Sequence, residues 1–261
     1  MREKHSGNLA DAKYAPDDRS EAYKKIADML QHIAEQCGVT IDETTFVRWQ
    51  QAGSLMREFD TFADDMPLGD RVDPMYTFRD FTLFASRYPA LTQERVGLST
   101  FHLMVKNVGR ILQIGKVFSE TTDSNEYIEL RKAEAYYTTK TFMDLATPEV
   151  RLQDGFRNFR YHATSLGVAA NLGGSLLDLS RDYHKGKTLL APRADIYRDL
   201  AYDMARYGKR SARYILDKKG IELRAKMLGE RARNRVSGFL HGEGIPDYSN
   251  LHLLFPKAKK H

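Results

Sequence analysis

The stretch AANLGGSLLDLSRDYHKGK, residues 169–187, decides how the fold of this chain is interpreted. It has the spacing of a helix, and side chains three, four or seven positions apart share one helix face. Two glycines, Gly173 and Gly174, lie in its middle, where each costs about 1 kcal/mol relative to alanine. We expect them to make room for another helix or for the chain of a ligand. The polar residues of the shared face are Asn171, Ser175, Asp178 and Asp182.

Composition places the chain among soluble globular proteins. It has 261 residues and a net charge of +5, with 42% apolar and 29% charged residues. No apolar run is long enough for a membrane-spanning helix, and the first 25 residues lack the apolar core of a secretory signal. The single cysteine, Cys37, excludes an internal disulfide framework. We therefore expect a reduced, cytoplasmic protein.

The chain ends in a basic segment, FPKAKKH, and residues 242–261 are predicted to be irregular. A basic tail can attract nucleic acid or an anionic membrane, and it can also be simply solvated. No zinc-finger or RNA-binding aromatic motif accompanies the tail, so we expect no nucleic-acid partner. Peripheral membrane association through the tail stays open beside the solvated alternative.

Apolar residues recur at helical spacing along almost the whole chain, which predicts an all-α protein. We expect one bundle of about eight helices over residues 1–261, built around a central cavity. Thr40 and Glu43 are expected to form a capping box. The sixth helix is expected to bend or break between Asp154 and Gly174. The predicted helices span residues 20–37, 40–66, 77–87, 91–120, 125–146, 148–184, 194–218 and 221–241.

A second polar row lies in LMREFDTFADD, where Arg57, Asp60 and Asp64 are spaced by 3 and 4 positions among apolar neighbours. Two oxygen-rich rows that face each other would suit Mg²⁺, which prefers carboxylates, water and phosphate oxygens. The same aspartate spacing at Asp195 and Asp199 lies on an arginine-rich helix and indicates a solvated, salt-bridged face.

These segments resemble the squalene and phytoene synthase group of the class I isoprenoid synthases. REFDTFADD is similar to the first aspartate motif of that group, and LGVAANLGGSLLDLSRDYHKGKTLLAP is similar to the second. The resemblance covers mainly residues 55–192. It implies an all-α fold, Mg²⁺ bound by the two aspartate rows, and a prenyl diphosphate whose tail lies in an apolar cavity.

The resemblance assigns roles to two sets of residues. It implies that the metal ligands, which are also the catalytic residues, are Asp60, Asp64, Asp178 and Asp182, with Asn171 and Ser175 as additional ligands. It implies that substrate contacts come from Arg57, Lys140, Tyr136, Tyr137, Lys185 and Lys187. The basic side chains would neutralise the departing diphosphate, and the tyrosines would line the cavity.

The sequence departs from the family pattern at several positions. Asn171 stands where the family has glutamine, Gly174 where it has a metal-binding asparagine, and Leu177 where it has arginine. Lys140-Thr141 follows the tyrosines in place of Val-Ala-Gly and is more similar to the chain-elongating synthases. Three functions therefore stay open: a prenyltransferase that couples farnesyl or geranylgeranyl diphosphate to a second substrate, a terpene cyclase, and a helical binding protein that has lost catalysis.

Overall fold

A computed structural model describes residues 19–64, 74–217 and 219–220, with side chains described for residues 25–58 and 79–214 and for four residues after them. Every regular element within these ranges is helical, which confirms the all-α class. Two of the nine α-helices described, α4 and α7, are single turns, and a 3₁₀ helix, Pro89–Leu91, precedes α4. The helices are α1 Arg19–Gln36, α2 Glu43–Asp64, α3 Pro74–Ala85, α4 Gln93–Val96, α5 Leu98–Glu120, α6 Ser124–Leu145, α7 Pro148–Arg151, α8 Phe156–His184 and α9 Ala194–Ile215.

Breaks between helices follow glycine and proline, but not everywhere that the sequence predicts. The expected single helix over residues 91–120 is wrong, because Gly97 adopts φ +85° and separates α4 from α5. The long segment after Pro148 breaks at residues 152–155, at the edge of the predicted interval. Helix α8 then continues unbroken through Gly173 and Gly174. The predicted helix 221–241 and the tail 242–261 lie outside the described residues.

The predicted capping box at the start of α2 is also wrong. Asp42 is the capping residue, because its Oδ1 accepts a hydrogen bond from the Thr45 backbone amide at 2.6 Å. The Thr147 hydroxyl, before α7, donates to the other Asp42 oxygen, and the Thr147 amide donates to Thr45 Oγ1 at 3.0 Å. Thr40 instead exchanges two hydrogen bonds with the Gln153 side chain. The capping network therefore ties α2 to the segment that leads into α8.

Two apolar clusters form the described core. The first joins α1, α2, α3 and α5 to the last turns of α6 and the first turns of α8, and Trp49 and Phe159 meet there with ring centroids 5.8 Å apart. The second joins the first turns of α6 to the last turns of α8 and to α9, around Tyr127, Leu172 and Tyr197. Helices α6 and α8 run through both clusters.

Helix α8 lies between α6 and α9. On the α6 side, a β-carbon built on Gly167 would lie 2.5 Å from Thr139 Oγ1. On the α9 side, the Ser211 hydroxyl donates to the His162 carbonyl oxygen at 2.8 Å. Because α8 is packed on two sides, the orientation of its polar row is fixed by its neighbours.

The Asp42 network predicts a pH-dependent contribution to stability. Burial alone would raise the pKa of Asp42, but hydrogen bonds from Thr147 and Thr45 hold that pKa below its ordinary value. A lowered folded-state pKa means that the contribution is present above the unfolded pKa of about 3.9 and is lost as the pH falls through the folded value. Asp42→Ala should lose about 1–2 kcal/mol at neutral pH and much less near pH 2, in urea unfolding.

Asp42→Asn is the control for this prediction, because asparagine also caps helices but cannot ionise. We expect its stability to fall between that of the parent chain and that of Asp42→Ala at neutral pH. An equal loss for Asp42→Ala at both pH values would show that the carboxylate charge contributes nothing.

Candidate functional site

The polar row of α8 begins at Asn171, which is hydrogen-bonded to α6. Its side-chain amide donates to the Arg131 carbonyl oxygen at 2.8 Å and to Glu134 Oε2 at 2.9 Å. Ser175, one turn later, is buried, and its hydroxyl donates to the Asn171 carbonyl oxygen at 3.1 Å. Their amide and hydroxyl hydrogens therefore have partners within the protein, and a cation would need their oxygen atoms.

Arg131 is the buried cation at this contact, with only 12% of its side chain exposed. Its guanidinium carbon lies 4.1 Å from the centroid of the Phe118 ring and 5.4 Å from that of Tyr127. It donates to Glu134 Oε2 at 2.9 Å and to the Tyr127 hydroxyl at 3.3 Å. Burial alone would lower the pKa of Arg131, but Glu134 and Tyr127 raise it, so the guanidinium stays charged.

Asp178 and Asp182 end the polar row, with 28% and 14% of their side chains exposed. Arg181 pairs with both: its Nη2 lies 3.1 Å from Asp178 Oδ1, and its Nε lies 3.7 Å from Asp182 Oδ1. Burial raises the pKa of Asp182, and the Asp178 carboxylate raises it further. Arg181, Arg131 and Lys187 oppose this rise without cancelling it.

Burial is the largest cause of the raised pKa of Asp182, and the nearby cations offset it only in part. An added cation would be stabilised there, because it would favour the ionised form. Mg²⁺ is usually held by only one or two carboxylates together with water and substrate phosphates. Two carboxylates alone would leave most Mg²⁺ coordination positions to water and to diphosphate oxygens. Among the side chains described, no group of three or more His, Cys, Asp or Glu could hold a metal ion.

Two exposed lysines lie in the turn after α8, and one of them, Lys187, acts on Asp182. Gly186 adopts φ +66° in the turn that ends α8, and the Lys187 amide donates to the Asp182 carbonyl oxygen at 2.8 Å. The Lys187 side chain is exposed but close enough to lower the pKa of Asp182. Lys185 is exposed in the same turn. Lys187 is therefore brought to the candidate site.

The tyrosines and Lys140 lie further along α6. Tyr136 and Tyr137 meet edge to face with ring centroids 5.4 Å apart, and Tyr136 is exposed. Lys140 forms a salt bridge with Asp144. Because neighbouring Thr139 faces Gly167, Lys140 lies about 16 Å, measured along α8, from the level of Asp178. The structure does not bring Lys140 to the α8 carboxylates.

The first aspartate row lies on α2. Arg57 is half-buried there, and the next residue, Glu58, is buried 3.7 Å from Arg87 Nη1. The side chains of Asp60 and Asp64 lie outside the described residues, so a metal site shared by the two rows stays a prediction. The central cavity also stays a prediction. A surface depression of about 370 Å³ lies at the other end of α8, lined by Asp154, Arg157, Asn158 and Tyr161.

Sequence reasoning missed the α6 side of the site, which consists of Tyr127, Arg131 and Glu134. The available signal was their spacing by 4 and 3 positions, in the segment that leads up to Tyr136. Such pairs are common on solvated helix faces, so the spacing did not predict burial. On α9, Asp195 pairs with Arg193 and Asp199 pairs with Arg198 on an exposed face, as expected. Asp203, which continues the same spacing and was expected on the same solvated face, instead has only 15% of its side chain exposed and pairs with Lys132 of α6.

The two glycines in the middle of α8 have different surroundings. A β-carbon on Gly173 would lie 3.2 Å from Met204 Sδ of α9, so this glycine allows close helix packing. A β-carbon on Gly174 would meet no heavy atom within 4 Å. Gly174 lies between Asn171 and Asp178 on the polar face, so it leaves open space inside the candidate site.

We expect opposite effects from alanine at two glycines of this face. Gly174→Ala should raise the free energy of unfolding by up to about 1 kcal/mol, because the β-carbon has room and the unfolded chain loses freedom. Gly167→Ala should lower it by about 1–3 kcal/mol, because the added carbon overlaps Thr139. Urea unfolding of both variants measures this difference, and equal stabilities would contradict the packing described for α6 and α8.

Comparison with known proteins identifies no relative of this chain. No protein-family model, no curated protein and no solved structure matches the chain.

Proposed function

We propose that this chain is a Mg²⁺-dependent prenyltransferase of the squalene and phytoene synthase type. It takes farnesyl or geranylgeranyl diphosphate, releases pyrophosphate and couples the prenyl group to a second prenyl substrate. One observation carries the proposal: the partly buried Asp178 and Asp182 pair, in which the pKa of Asp182 is raised despite three nearby cations. The resemblance of the two aspartate motifs to those of the squalene and phytoene synthase group also supports the proposal.

Asp178 and Asp182 would hold Mg²⁺, with the Asn171 amide oxygen as a further ligand and with Asp60 and Asp64 from α2. The metal supplies neutralisation of the negative charge that develops on the leaving diphosphate. Lys187 is close enough to share that role. Lys140 lies about 16 Å further along the bundle and would not share that role.

Arg181 has a specific role in this proposal. It now spans the two carboxylates that the metal would need. If the carboxylates held Mg²⁺, the Arg181 guanidinium would be released toward phosphate oxygens, which match its planar donor geometry. Arg181 therefore stabilises the carboxylates before substrate binds and the diphosphate afterwards.

The activity test uses full-length protein with Mg²⁺ and farnesyl or geranylgeranyl diphosphate, alone and with isopentenyl diphosphate. Pyrophosphate release and the mass of the extracted lipid are measured. Asp178→Asn and Asp182→Asn should each reduce the rate by on the order of 100-fold or more, because each removes a carboxylate at the metal. Coupling gives a product heavier than the substrate's prenyl group, and cyclisation gives one of equal carbon number.

The α9 variants Asp195→Asn and Asp199→Asn are matched controls, since these residues share the spacing but lie on an exposed face. They should leave the rate unchanged. Two results would overturn the assignment of the site. One is pyrophosphate release at the same rate with and without Mg²⁺, and the other is an equal loss of rate in the α8 and the α9 variants.

One observation favours a second candidate, a helical binding protein without catalysis. Arg181 pairs with both α8 carboxylates, so part of their charge is offset by the protein itself without a metal. In that case the polar row would serve only to fix α8 against α6. The two candidates differ in whether Mg²⁺ and pyrophosphate bind to the folded chain.

Thermal unfolding separates these candidates. For the enzyme, saturating Mg²⁺ with pyrophosphate should raise Tm by several degrees, because a ligand at about 100 times its Kd adds roughly 2.7 kcal/mol. Gly174→Asn should enlarge the shift, since the open space beside Gly174 accommodates the asparagine that the family carries there. Asp178→Asn should abolish it. An unchanged Tm in the parent chain and in Gly174→Asn would favour the binding protein.

A further inference from the structure

A strongly basic surface runs from the middle of the α8–α9 pair to its end away from Asp178. The segment GFRNFRYHATSLGVAANLGGSLL, residues 155–177, and the segment MARYGKRSARYIL, residues 204–216, contain six cations and no carboxylate. The whole chain has a net charge of only +5, so this excess is local. We call it the basic face; it consists of Arg157, Arg160, Arg206, Lys209, Arg210 and Arg213.

The fold brings the two segments together. Asn158 Nδ2 donates to the Tyr214 hydroxyl at 3.3 Å, which places the start of α8 beside the end of α9. The rings of His162 and Tyr214 lie 4.1 Å apart, and Arg213 stacks on Tyr214 at 4.6 Å. Among the residues that the structure describes, no carboxylate lies within salt-bridge distance of any member of the basic face. Five of its members are exposed, and Arg210 is half-buried against Tyr207.

Apolar side chains project from the same end of the pair. Leu152, just before α8, is 82% exposed, and Leu216, just after α9, is 56% exposed. Tyr161, which directly follows Arg160 on α8, is also exposed. Large apolar side chains beside a cluster of cations suit an interface between anionic headgroups and acyl chains. Tyrosine is enriched at the same depth of a bilayer.

We propose that the basic face and the exposed residues Leu152, Tyr161 and Leu216 form a docking surface for an anionic phospholipid bilayer. Charge complementarity attracts the surface to the membrane, and the leucines then enter the interfacial layer. The exposed leucines favour a membrane over nucleic acid as the partner, because an aliphatic side chain contributes nothing to recognition of a phosphate backbone. The attachment is peripheral; no helix that the structure describes is both long and apolar enough to cross a membrane.

This surface is independent of the proposed catalytic site. Arg160 and Asp178 are 18 residues apart on one helix, which corresponds to about 27 Å. Arg206, opposite residues 169–173 of α8, is the member of the basic face that lies nearest to Asp178. It is also distinct from the basic tail, for which peripheral membrane contact was an open expectation. Binding to vesicles can therefore be tested without reference to catalysis.

The test is co-sedimentation of the full chain with vesicles of phosphatidylcholine that contain about 30% phosphatidylserine, where each surface cation contributes roughly fivefold in affinity. The triple variant Arg157→Gln, Lys209→Gln, Arg213→Gln should bind about 100-fold more weakly. Pure phosphatidylcholine should bind neither protein strongly, and about 0.5 M NaCl should weaken binding of the parent chain by screening.

The matched control removes the same charge from the tail, as Lys257→Gln, Lys259→Gln, Lys260→Gln. It should retain most of the binding. Leu152→Ser with Leu216→Ser, which keeps every cation, should also weaken binding and should leave a larger share of it sensitive to salt. Circular dichroism and Tm establish that each variant is folded.

Three results would overturn the proposal. The first is failure of the parent chain to bind the anionic vesicles. The second is an equal or larger loss from the tail variant than from the α8–α9 variant. The third is tight binding of single- or double-stranded RNA together with weak binding of vesicles, which would identify the basic face as a nucleic-acid surface.

Discussion

The contact between Asn171 of α8 and the Arg131–Glu134 turn of α6 is the constraint on which the candidate site depends. Arg131 is buried, and Glu134 and the aromatic faces offset the cost of burying its charge. Asn171 bonds to both the backbone and the carboxylate of that turn, which fixes the register of α8 on α6. A slip of one residue would rotate the α8 row by about 100° and leave Glu134 and Asn171 without each other. The position of Asp182 near Arg131 follows from this register.

Much of the fold could be predicted from sequence, because apolar periodicity and helix-stopping residues are local signals. Gly38 and Pro148 end or start helices as expected. The failures have physical causes. Asp42 outcompetes Thr40 as a cap because it also bonds Thr147, a residue 105 positions away. The break at Gly97 requires a positive φ, which glycine permits, but the presence of a glycine does not predict that the angle is adopted.

The candidate site was predictable on α8 and not on α6. Asp178 and Asp182 share a face by spacing alone, and their partly buried setting follows from the small residues before them. The partners on α6 depend on which helices are neighbours, and spacing within one helix carries no such information. The same limit explains Lys140. The family resemblance placed it at the diphosphate, but the antiparallel packing of α6 on α8 places it at the level of Gly167.

The charges of α8 run against its own dipole, and this bears on both proposals. A helix favours carboxylates near its first turn and cations near its last, by about 0.3–1 kcal/mol each. Helix α8 has Arg157 in its first turn, Arg160 soon after, and Asp182 in its last turn. Arg181 and His184 reduce the cost at the carboxyl end, and Asp154, which lines a depression together with Arg157, is the one carboxylate described near the two arginines. Where a sequence breaks a local rule and compensates only in part, a functional requirement is one expected reason. An anionic surface at one end and a divalent cation at the other would each turn the unfavourable placement into a favourable one.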